Sequence, residues 1–249
     1  MNVYGLIGNP LEHSFSKQYF TEKFEKENLE DCRFELFPLK DITELTALLS
    51  SQFELKGLAV TIPYKESVMP FLTTVEKEAA VIGAVNCIKI SAGILTGYNT
   101  DYIGFERSLL PLLHSRHTKA LILGSGGSSK AVQYVLRKLG IEFLIVSRSA
   151  STKNEFIQYD VIDEKMMQQY PLIINCTPVG MFPNENNKPA IPYQYINKNH
   201  LLFDLIYKPA ETKFLQLGKG QGATVKNGYE MLIIQAEENW KIWTNSSAI

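Results

Sequence analysis

A glycine-rich segment between an apolar run and a helical pattern is the first candidate for chemistry in this chain. The segment from Leu121 to Ala131 reads LILGSGGSSKA, with three glycines at the turn. Where such a turn joins a strand to a helix, backbone N–H groups at the helix N-terminus can bind the pyrophosphate of a dinucleotide. Ser129 replaces the third glycine of the usual G-x-G-x-x-G pattern. A glycine turn that binds nothing therefore remains open as the alternative.

Arg148 follows the next predicted strand, about twenty residues on, where NAD-selective enzymes carry an acidic residue for the ribose hydroxyls. A guanidinium suits a 2′-phosphate instead, because it can make a bidentate, charge-assisted contact with that group. Ser147 and Ser149 can add hydroxyl donors, and Lys153 can add a second positive charge. The pattern favours NADP over NAD; an ordinary exposed arginine is the alternative.

Polar residues also lie near the ends of the strands predicted in the first hundred residues, which is where open α/β sheets bind their ligands. The segments 8–16, 60–65, 83–86 and 97–101 contribute hydroxyl, amide, lysine and carboxylate groups. Such a set suits a small polyhydroxylated ligand rather than a lipid or a peptide. Ser14 and Ser16 can also be explained as helix caps, because serine before an amphipathic helix is a common N-cap.

At these segments the chain resembles the shikimate dehydrogenase family. Between Ile7 and Ala236, the family's motifs stand here as GNPLEHSFS, VTIPYK, GAVN, GYNTD, ILGSGGSSKA, INCTPVGM, FDLIYKPAET and NGYEMLIIQA. Eight motifs in the family's order are far more specific than any one of them. The resemblance implies reversible, NADPH-dependent reduction of 3-dehydroshikimate to shikimate, within the route to aromatic amino acids.

The resemblance also implies a role for each residue that matches a family motif. The catalytic pair would be Lys65 and Asp101. The substrate would be bound by Ser14, Ser16, Thr61, Asn86, Tyr207 and Gln235. The cofactor would be bound by Gly124, Gly126, Gly127, Ser128, Arg148, Leu205 and Gly228. For Gln235, a polar edge on a packed helix face is an alternative.

A lysine with a carboxylate partner suits this reaction on chemical grounds as well. Hydride transfer to a ketone builds negative charge on its oxygen, and an ammonium group can stabilise and protonate that oxygen. Lys65 fits this role, with Asp101 orienting it, and in the oxidative direction the pair would take the hydroxyl proton. A solvated salt bridge is the alternative.

The elements that must position these residues follow from an alternation of short β-branched runs with helical patterns, which predicts an α/β fold with parallel sheets. In the first hundred residues we predict strands at 3–7, 33–37, 58–62, 85–90 and 94–98. Helices are predicted after residue 14 and at about 42–49. The pattern restarts at Lys119, with strands at 120–123, 143–146, 172–175, 201–205 and 223–225. Helices are predicted there at 130–139 and 229–243.

This organisation predicts two domains. Residues 1–101 plus 229–249 would form a three-layer α/β domain for substrate binding and catalysis. Residues 102–228 would form a Rossmann-like NADP-binding domain, with a cleft between the two.

Composition argues against several other classes of function. Lys and Arg total 25 against 26 Asp and Glu, so no basic excess exists to bind nucleic acid. No signal sequence or membrane-spanning run is present, which favours a cytoplasmic protein that does not bind membranes. The spacing of cysteines and histidines fits neither a disulfide framework nor a metal site, so we expect no metal. The expected partner is a small-molecule substrate, and the expected state is a monomer or homodimer.

Two departures from the family pattern bear on these expectations. Ala59 stands where the family has an asparagine before Val-Thr, which removes an amide that could support the catalytic loop. Thr152 and Lys153 stand where an arginine is often found, which weakens the preference for NADP. Two alternatives stay open: a dehydrogenase of quinate or another cyclic hydroxy acid that uses NAD(P), and a non-catalytic ligand or cofactor sensor on the same fold.

Overall fold

The computed structural model describes residues 1–11, 14–148 and 154–244 of the chain. The chain divides into two compact units. Unit 1 contains Met1–Thr100 and Gln235–Ile249, and unit 2 contains Asp101–Ile234.

Unit 1 is built on a six-stranded mixed sheet of order β2-β1-β3-β5-β6-β4. Its strands are β1 (Asn2–Gly8), β2 (Cys32–Pro38), β3 (Leu55–Val60), β4 (Thr74–Val75), β5 (Cys87–Ser91) and β6 (Ile94–Tyr98). β1 is parallel to β2 and β3, whereas β5 is antiparallel to β3 and β6. The sheet is mixed rather than parallel because β5 and β6 form a tight hairpin. Ala92 and Gly93 at its turn have φ values of 49° and 78°, as a two-residue type I′ turn requires.

Helices cover both faces of this sheet, which gives unit 1 its predicted three layers. One face packs against α2 (Glu44–Ser51) and α3 (Lys77–Ile82). The other packs against α1 (Phe15–Lys26) and the C-terminal part of the last helix, α8 (Tyr229–Trp243). The second face is rich in aromatic residues. The stacked rings of Phe20 and Phe34 have their centroids 4.6 Å apart, and those of Tyr4 and Trp243 have theirs 5.3 Å apart.

Trp243 fastens α8 to the sheet. Its indole Nε1 donates a hydrogen bond to the carbonyl oxygen of Ile88 at 3.0 Å. Its ring lies directly over Gly57 of β3, so closely that a Cβ at this position would overlap the indole. A glycine is therefore required where the helix crosses the strand.

Unit 2 is built on a six-stranded parallel sheet of order β12-β11-β10-β7-β8-β9. Its strands are β7 (Lys119–Leu123), β8 (Glu142–Val146), β9 (Phe156–Ile157), β10 (Leu172–Asn175), β11 (Leu201–Asp204) and β12 (Thr224–Lys226). Counted from the first strand of the unit, this is the 3-2-1-4-5-6 order of the dinucleotide-binding fold. The strand order reverses between β7 and β10, and ligands of such sheets bind at that point, outside the carboxyl ends of the strands.

Alternating residues of these strands build two apolar layers, because successive side chains of a strand point to opposite faces. Ile122, Ile174 and Phe203 pack on the face covered by α4 (Asp101–Leu109) and α5 (Gly127–Lys138). Leu121, Ile173 and Leu202 pack on the face covered by α6 (Glu164–Gln169) and α7 (Lys213–Gly220).

Two buried histidines of unit 2 serve the fold. Nδ1 of His200 accepts from the backbone N–H of Asn197 at 3.1 Å, and its Nε2 lies 3.0 Å from the carbonyl oxygen of Met167. Burial lowers the pKa of both His200 and His117.

Within residues 1–11, 14–148 and 154–244, no three His, Cys, Asp or Glu side chains group as a metal site would. No helix in these ranges is long and apolar enough to cross a membrane.

Replacing Gly57 by Ala is expected to destabilise unit 1 by about 1–3 kcal/mol, because the added methyl group overpacks the Trp243 contact. Urea unfolding followed by tryptophan emission measures this, since both tryptophans of the chain, Trp240 and Trp243, lie in the part of α8 that belongs to unit 1. Gly220→Ala is the control, because its Cβ would meet nothing within 4 Å. Equal unfolding midpoints for the two variants would contradict the prediction.

Candidate active site

Ser14 and Ser16 lie half-buried at the start of α1 in unit 1. Ser14 is the N-cap residue, and its Oγ accepts a hydrogen bond from the backbone N–H of Ser16 at 3.2 Å. This bond uses a lone pair, so the hydroxyl hydrogen of Ser14 can still be donated. A carboxylate placed here would gain two hydroxyl donors and the positive end of the helix dipole. Helix capping and anion binding are therefore compatible at Ser14.

Thr61 and Lys65 lie on the turn that follows β3, and both side chains are half-buried. The backbone N–H of Thr61 donates to the carbonyl oxygen of Ile7 at 3.0 Å, and the carbonyl oxygen of Lys65 accepts from Val85 N–H at 2.7 Å. A Cβ on Gly8 would overlap the Thr61 methyl group. The turn is thus held at both ends and packed against the end of β1, which fixes where the Lys65 side chain starts.

Asn86 precedes β5 and is 3% exposed. Its Oδ1 accepts from the backbone N–H of Thr100 at 2.6 Å, and its Nδ2 donates to Thr100 Oγ1 at 2.9 Å. The same Nδ2 group donates to Gln235 Oε1 at 3.3 Å. The structure thus brings together two of the residues expected to bind substrate, one before β5 and one on α8.

Two residues outside the predicted set also belong to this network. Thr100, fully buried, donates from Oγ1 to Asn239 Oδ1 at 2.6 Å. Asn239 lies one turn beyond Gln235 on α8 and donates from Nδ2 to Gln235 Oε1 at 3.3 Å. In the sequence, Asn239 has the appearance of one more polar residue on an amphipathic helix, and only its burial at 1% exposure shows otherwise.

In unit 2, the glycine-rich turn lies at the carboxyl end of β7, next to the point where the strand order reverses. Gly124 has φ +100°, and a Cβ there would lie 2.8 Å from the Thr177 methyl group. Gly126, the N-cap residue of α5, has nothing within 4 Å of the position of a Cβ. No side chain caps α5 at this residue, so a ligand can approach the first backbone N–H groups of the helix. These features fit the diphosphate of a dinucleotide.

Ser147 and Arg148 follow β8, the neighbour of β7, so they lie at the same sheet edge as the glycine turn. Gly124 N–H donates to Val146 O at 2.8 Å, which ties the two strand ends together. Arg148 is exposed, and its carbonyl oxygen accepts from Gln158 Nε2 at 3.3 Å. The other two residues expected here, Ser149 and Lys153, lie outside the described residues.

A buried carboxylate joins the ends of β10 and β11. Asp204, with no exposed surface, accepts from Asn175 Nδ2 at 3.0 Å, from Ile206 N–H at 3.0 Å and from Thr212 Oγ1 at 2.6 Å. Thr212 also caps α7, because its Oγ1 accepts from Leu215 N–H at 3.4 Å. Burial raises the pKa of Asp204 to about 6, although the three hydrogen bonds act in the opposite direction. Asn175, Asp204 and Thr212 were not among the predicted site residues.

Asp204 holds the segment that carries Leu205 and Tyr207, two other expected site residues. Gly228 faces this segment: its N–H donates to Ile206 O at 3.1 Å, and a Cβ on it would overlap the Leu205 carbonyl. Leu205 and Gly228 are thus direct neighbours.

Asp101 also belongs to unit 2, where it is 5% exposed and begins α4. A carboxylate at a helix N-terminus is favoured by the helix dipole.

Comparison with known proteins places this set of residues in a family. The model of the shikimate dehydrogenase substrate binding domain matches residues 6–88. A curated relative from Carboxydothermus hydrogenoformans, named shikimate dehydrogenase (NADP(+)), is 37% identical over 98% of this chain and 91% of its own. The chain belongs to the shikimate dehydrogenase family. The range that the family model matches contains Lys65 and Asn86.

Solved structures of related dehydrogenases share the fold. Shikimate 5-dehydrogenase from Thermus thermophilus, in complex with NADP(H) and shikimate, is 28% identical, with a TM-score of 0.85 over 98% of this chain and 94% of that one. Quinate dehydrogenase from Corynebacterium glutamicum, in complex with NAD, is 26% identical, with a TM-score of 0.85 over the same shares. Among these relatives, one fold therefore accommodates either cofactor.

Asp204→Asn is expected to change how the free energy of unfolding depends on pH. The folded-state pKa of about 6 lies above the ordinary value of 3.8, so protonation of Asp204 favours the folded state. This stabilisation is fully present below about pH 4 and is lost as the pH rises through about 6. The stability of the wild type relative to the variant should therefore decrease over that range.

Urea unfolding monitored by far-UV circular dichroism between about pH 4 and 7 tests this difference. Asp160→Asn, at an exposed position of unit 2, is the control and should run parallel to the wild type. A difference between the wild type and Asp204→Asn that stays constant with pH would contradict the assignment.

Proposed function

We propose that this protein catalyses the reversible, NADP-dependent interconversion of shikimate and 3-dehydroshikimate. The observation that carries the proposal is the arrangement in unit 1. A half-buried Lys65 lies on a fixed turn that also carries Thr61, and the buried amide of Asn86 donates a hydrogen bond to the half-buried amide of Gln235. Membership of a family whose curated members are named shikimate dehydrogenase (NADP(+)) supports the same conclusion.

Lys65 acts at the reacting oxygen in this proposal. Its ammonium group stabilises the negative charge that develops on the carbonyl oxygen during reduction and supplies a proton to it. Asp101 orients the ammonium group, and in the oxidative direction the pair removes the hydroxyl proton. Thr100, which precedes Asp101 in the chain, is bound through both its backbone N–H and its hydroxyl group.

The remaining polar residues of the proposed site recognise the substrate. Ser14 and Ser16 bind the ring carboxylate through their hydroxyl groups, assisted by the dipole of α1 and by Tyr207. Thr61, Asn86 and Gln235 bind ring hydroxyls. A cyclic acid with several hydroxyl groups satisfies all of these donors and acceptors, whereas an apolar substrate would leave them unpaired at a cost of about 1–3 kcal/mol each.

We assign the binding of NADP to unit 2. Gly124, Gly126, Gly127 and Ser128 would hold the diphosphate, and Ser147 and Arg148, with Ser149 and Lys153, would hold the 2′-phosphate. Leu205 and Gly228 would lie against the nicotinamide. NADP, when bound, supplies the hydride chemistry that the side chains of the protein lack.

Domain roles follow from the same assignment. Residues 1–101 plus 229–249 would serve the substrate and residues 102–228 the cofactor. The proposal extends to a cytoplasmic enzyme that works as a monomer or homodimer.

A quinate dehydrogenase that uses NAD is the second candidate, and it is favoured by the shared fold of the Corynebacterium glutamicum protein. Arg148 argues against it, because a guanidinium at this position suits a 2′-phosphate.

Activity with shikimate or quinate, each combined with NADP or NAD, tests the proposal directly. We expect shikimate with NADP to give the highest kcat/KM, measured as the absorbance of the reduced nicotinamide. Lys65→Ala should lower kcat by about 10²–10⁴-fold through loss of the acid–base group. Lys40→Ala, at an exposed position of unit 1, should retain wild-type rates. A folded wild type without turnover, or a fully active Lys65→Ala, would refute the proposal.

Arg148→Gln tests the cofactor assignment. Loss of a charge-assisted contact worth about 1.5–3 kcal/mol should raise the KM for NADP by about 10–100-fold. The KM for NAD should change little, because NAD has no 2′-phosphate. Arg33→Gln, on β2 of unit 1, is the matched control. An unchanged ratio of the two KM values in Arg148→Gln would remove Arg148 from the cofactor site.

A further inference from the structure

Asn239 is a buried amide on a helix that otherwise packs aromatic residues against the sheet. It is 1% exposed, while Ala236 and Trp243 of the same helix pack in the apolar cluster of unit 1. A buried amide destabilises a protein unless it is hydrogen-bonded. Asn239 is bonded through both ends of its amide, to Thr100 and to Gln235. Asn239 lies one helical turn from Gln235, which the proposed function assigns to the substrate.

The distances define the direction of each hydrogen bond around Thr100. A hydroxyl group has one hydrogen to donate. Asn239 Oδ1 lies 2.6 Å from Thr100 Oγ1, whereas Asn86 Oδ1 lies 3.2 Å away, so the hydrogen points to Asn239. Thr100 Oγ1 is then an acceptor for Asn86 Nδ2 at 2.9 Å. The amide of Asn86 is oriented by the backbone N–H of Thr100, which donates to its Oδ1 at 2.6 Å, whereas Asn239 fixes the hydroxyl hydrogen of Thr100.

Gln235 is oriented by the same network. Its Oε1 accepts from Asn86 Nδ2 and from Asn239 Nδ2, both at 3.3 Å. Two donors converging on this oxygen place Oε1 on the network side of the amide, so the Nε2 group is on the opposite side. Turning the Gln235 amide around would bring N–H groups against two other N–H groups.

We propose that Asn239 is a positioning residue for substrate recognition. It holds Oε1 of Gln235 toward the network, so that Gln235 offers its N–H donors to a ring hydroxyl. Asn239 acts through Gln235 and does not touch the substrate. The inference rests on the proposed function, since that function assigns Gln235 to the substrate.

Two substitutions at Asn239 separate orientation from simple stability. Asn239→Leu keeps the volume and removes both hydrogen bonds. Asn239→Asp keeps an acceptor for Thr100, but in its ionised form it has no hydrogen for Gln235 Oε1. Protonation restores a donor, so this variant should regain affinity as the pH is lowered from about 8 to about 5.5, because burial raises the pKa of a carboxyl group. The matched control is Asn2→Leu, which removes an exposed amide bound to Asp31 at 2.9 Å.

The measurements are the shikimate Kd by titration calorimetry, steady-state KM and kcat for shikimate and for NADP, and far-UV circular dichroism to verify folding. Asn239→Leu should raise the Kd and KM for shikimate about tenfold, equivalent to loss of about one buried hydrogen bond, while the KM for NADP changes less than about twofold. Asn239→Asp should show the recovery at low pH relative to wild type and Asn2→Leu.

Three outcomes would overturn the inference. They are a shikimate Kd within about twofold of wild type in folded Asn239→Leu, an equal rise in both KM values, and no recovery at low pH in Asn239→Asp. Should Asn239→Leu fail to fold, the pH response of Asn239→Asp decides alone. Failure of the proposed function looks different, because it would appear as absence of turnover in the wild type itself.

Discussion

Asn86 is the residue on which the organisation of unit 1 depends most. Its carbonyl oxygen accepts from Val60 N–H at 2.8 Å and its N–H donates to Tyr98 O at 3.1 Å, so its backbone joins the ends of β3 and β6. Its side chain then bonds to Thr100 and Gln235. One buried amide thus ties together two strand ends, the segment leading to Asp101 and the last helix. A polar group can be buried this deeply only because so many of its hydrogen bonds are satisfied.

The same constraint operates in unit 2 with a carboxylate in place of an amide. Asp204 at the end of β11 is bonded to Asn175 at the end of β10, to Thr212 at the start of α7 and to the backbone of Ile206. In this type of sheet, ligands bind outside the carboxyl ends of the strands. Here buried, hydrogen-bonded side chains hold two of these ends, and the same bonds fix the start of the segment that carries Leu205 and Tyr207.

The pattern predicted several elements well because they bury a regular apolar face. The strand at 172–175 and the helix Tyr229–Trp243 lie where the pattern placed them, and the strand predicted at 201–205 ends one residue earlier, at Asp204. The pattern predicted the wrong bounds where a hydrophobic residue is exposed or where a helix begins with glycines. β3 was predicted at 58–62 but spans Leu55–Val60, because Ile62 lies in the turn and is 58% exposed. α5 begins at Gly127 rather than at residue 130, since glycines at a helix start do not show the apolar spacing.

Short elements and internal polar contacts were beyond prediction for a different reason. α3 has six residues and β4 has two, too few for any period to be recognised. The pattern of Ser14, Thr61, Lys65, Asn86 and Asp101 could be read from motifs because these residues cluster in short segments. Asn239 and Asp204 could not, because their importance arises from partners far away in the chain, and a single sequence does not show which polar residue will be enclosed.

Ala59 illustrates how a departure in the sequence can be absorbed by the surrounding structure. Its side chain is 7% exposed and packs in the apolar cluster with Trp243 and Cys87. The turn that carries Thr61 and Lys65 is held by backbone hydrogen bonds to Ile7 and Val85, which do not involve the side chain at position 59. An alanine there therefore leaves the turn supported and allows α8 to pack closely on β3. On α8, the buried amide of Asn239 bonds to Thr100 and Gln235.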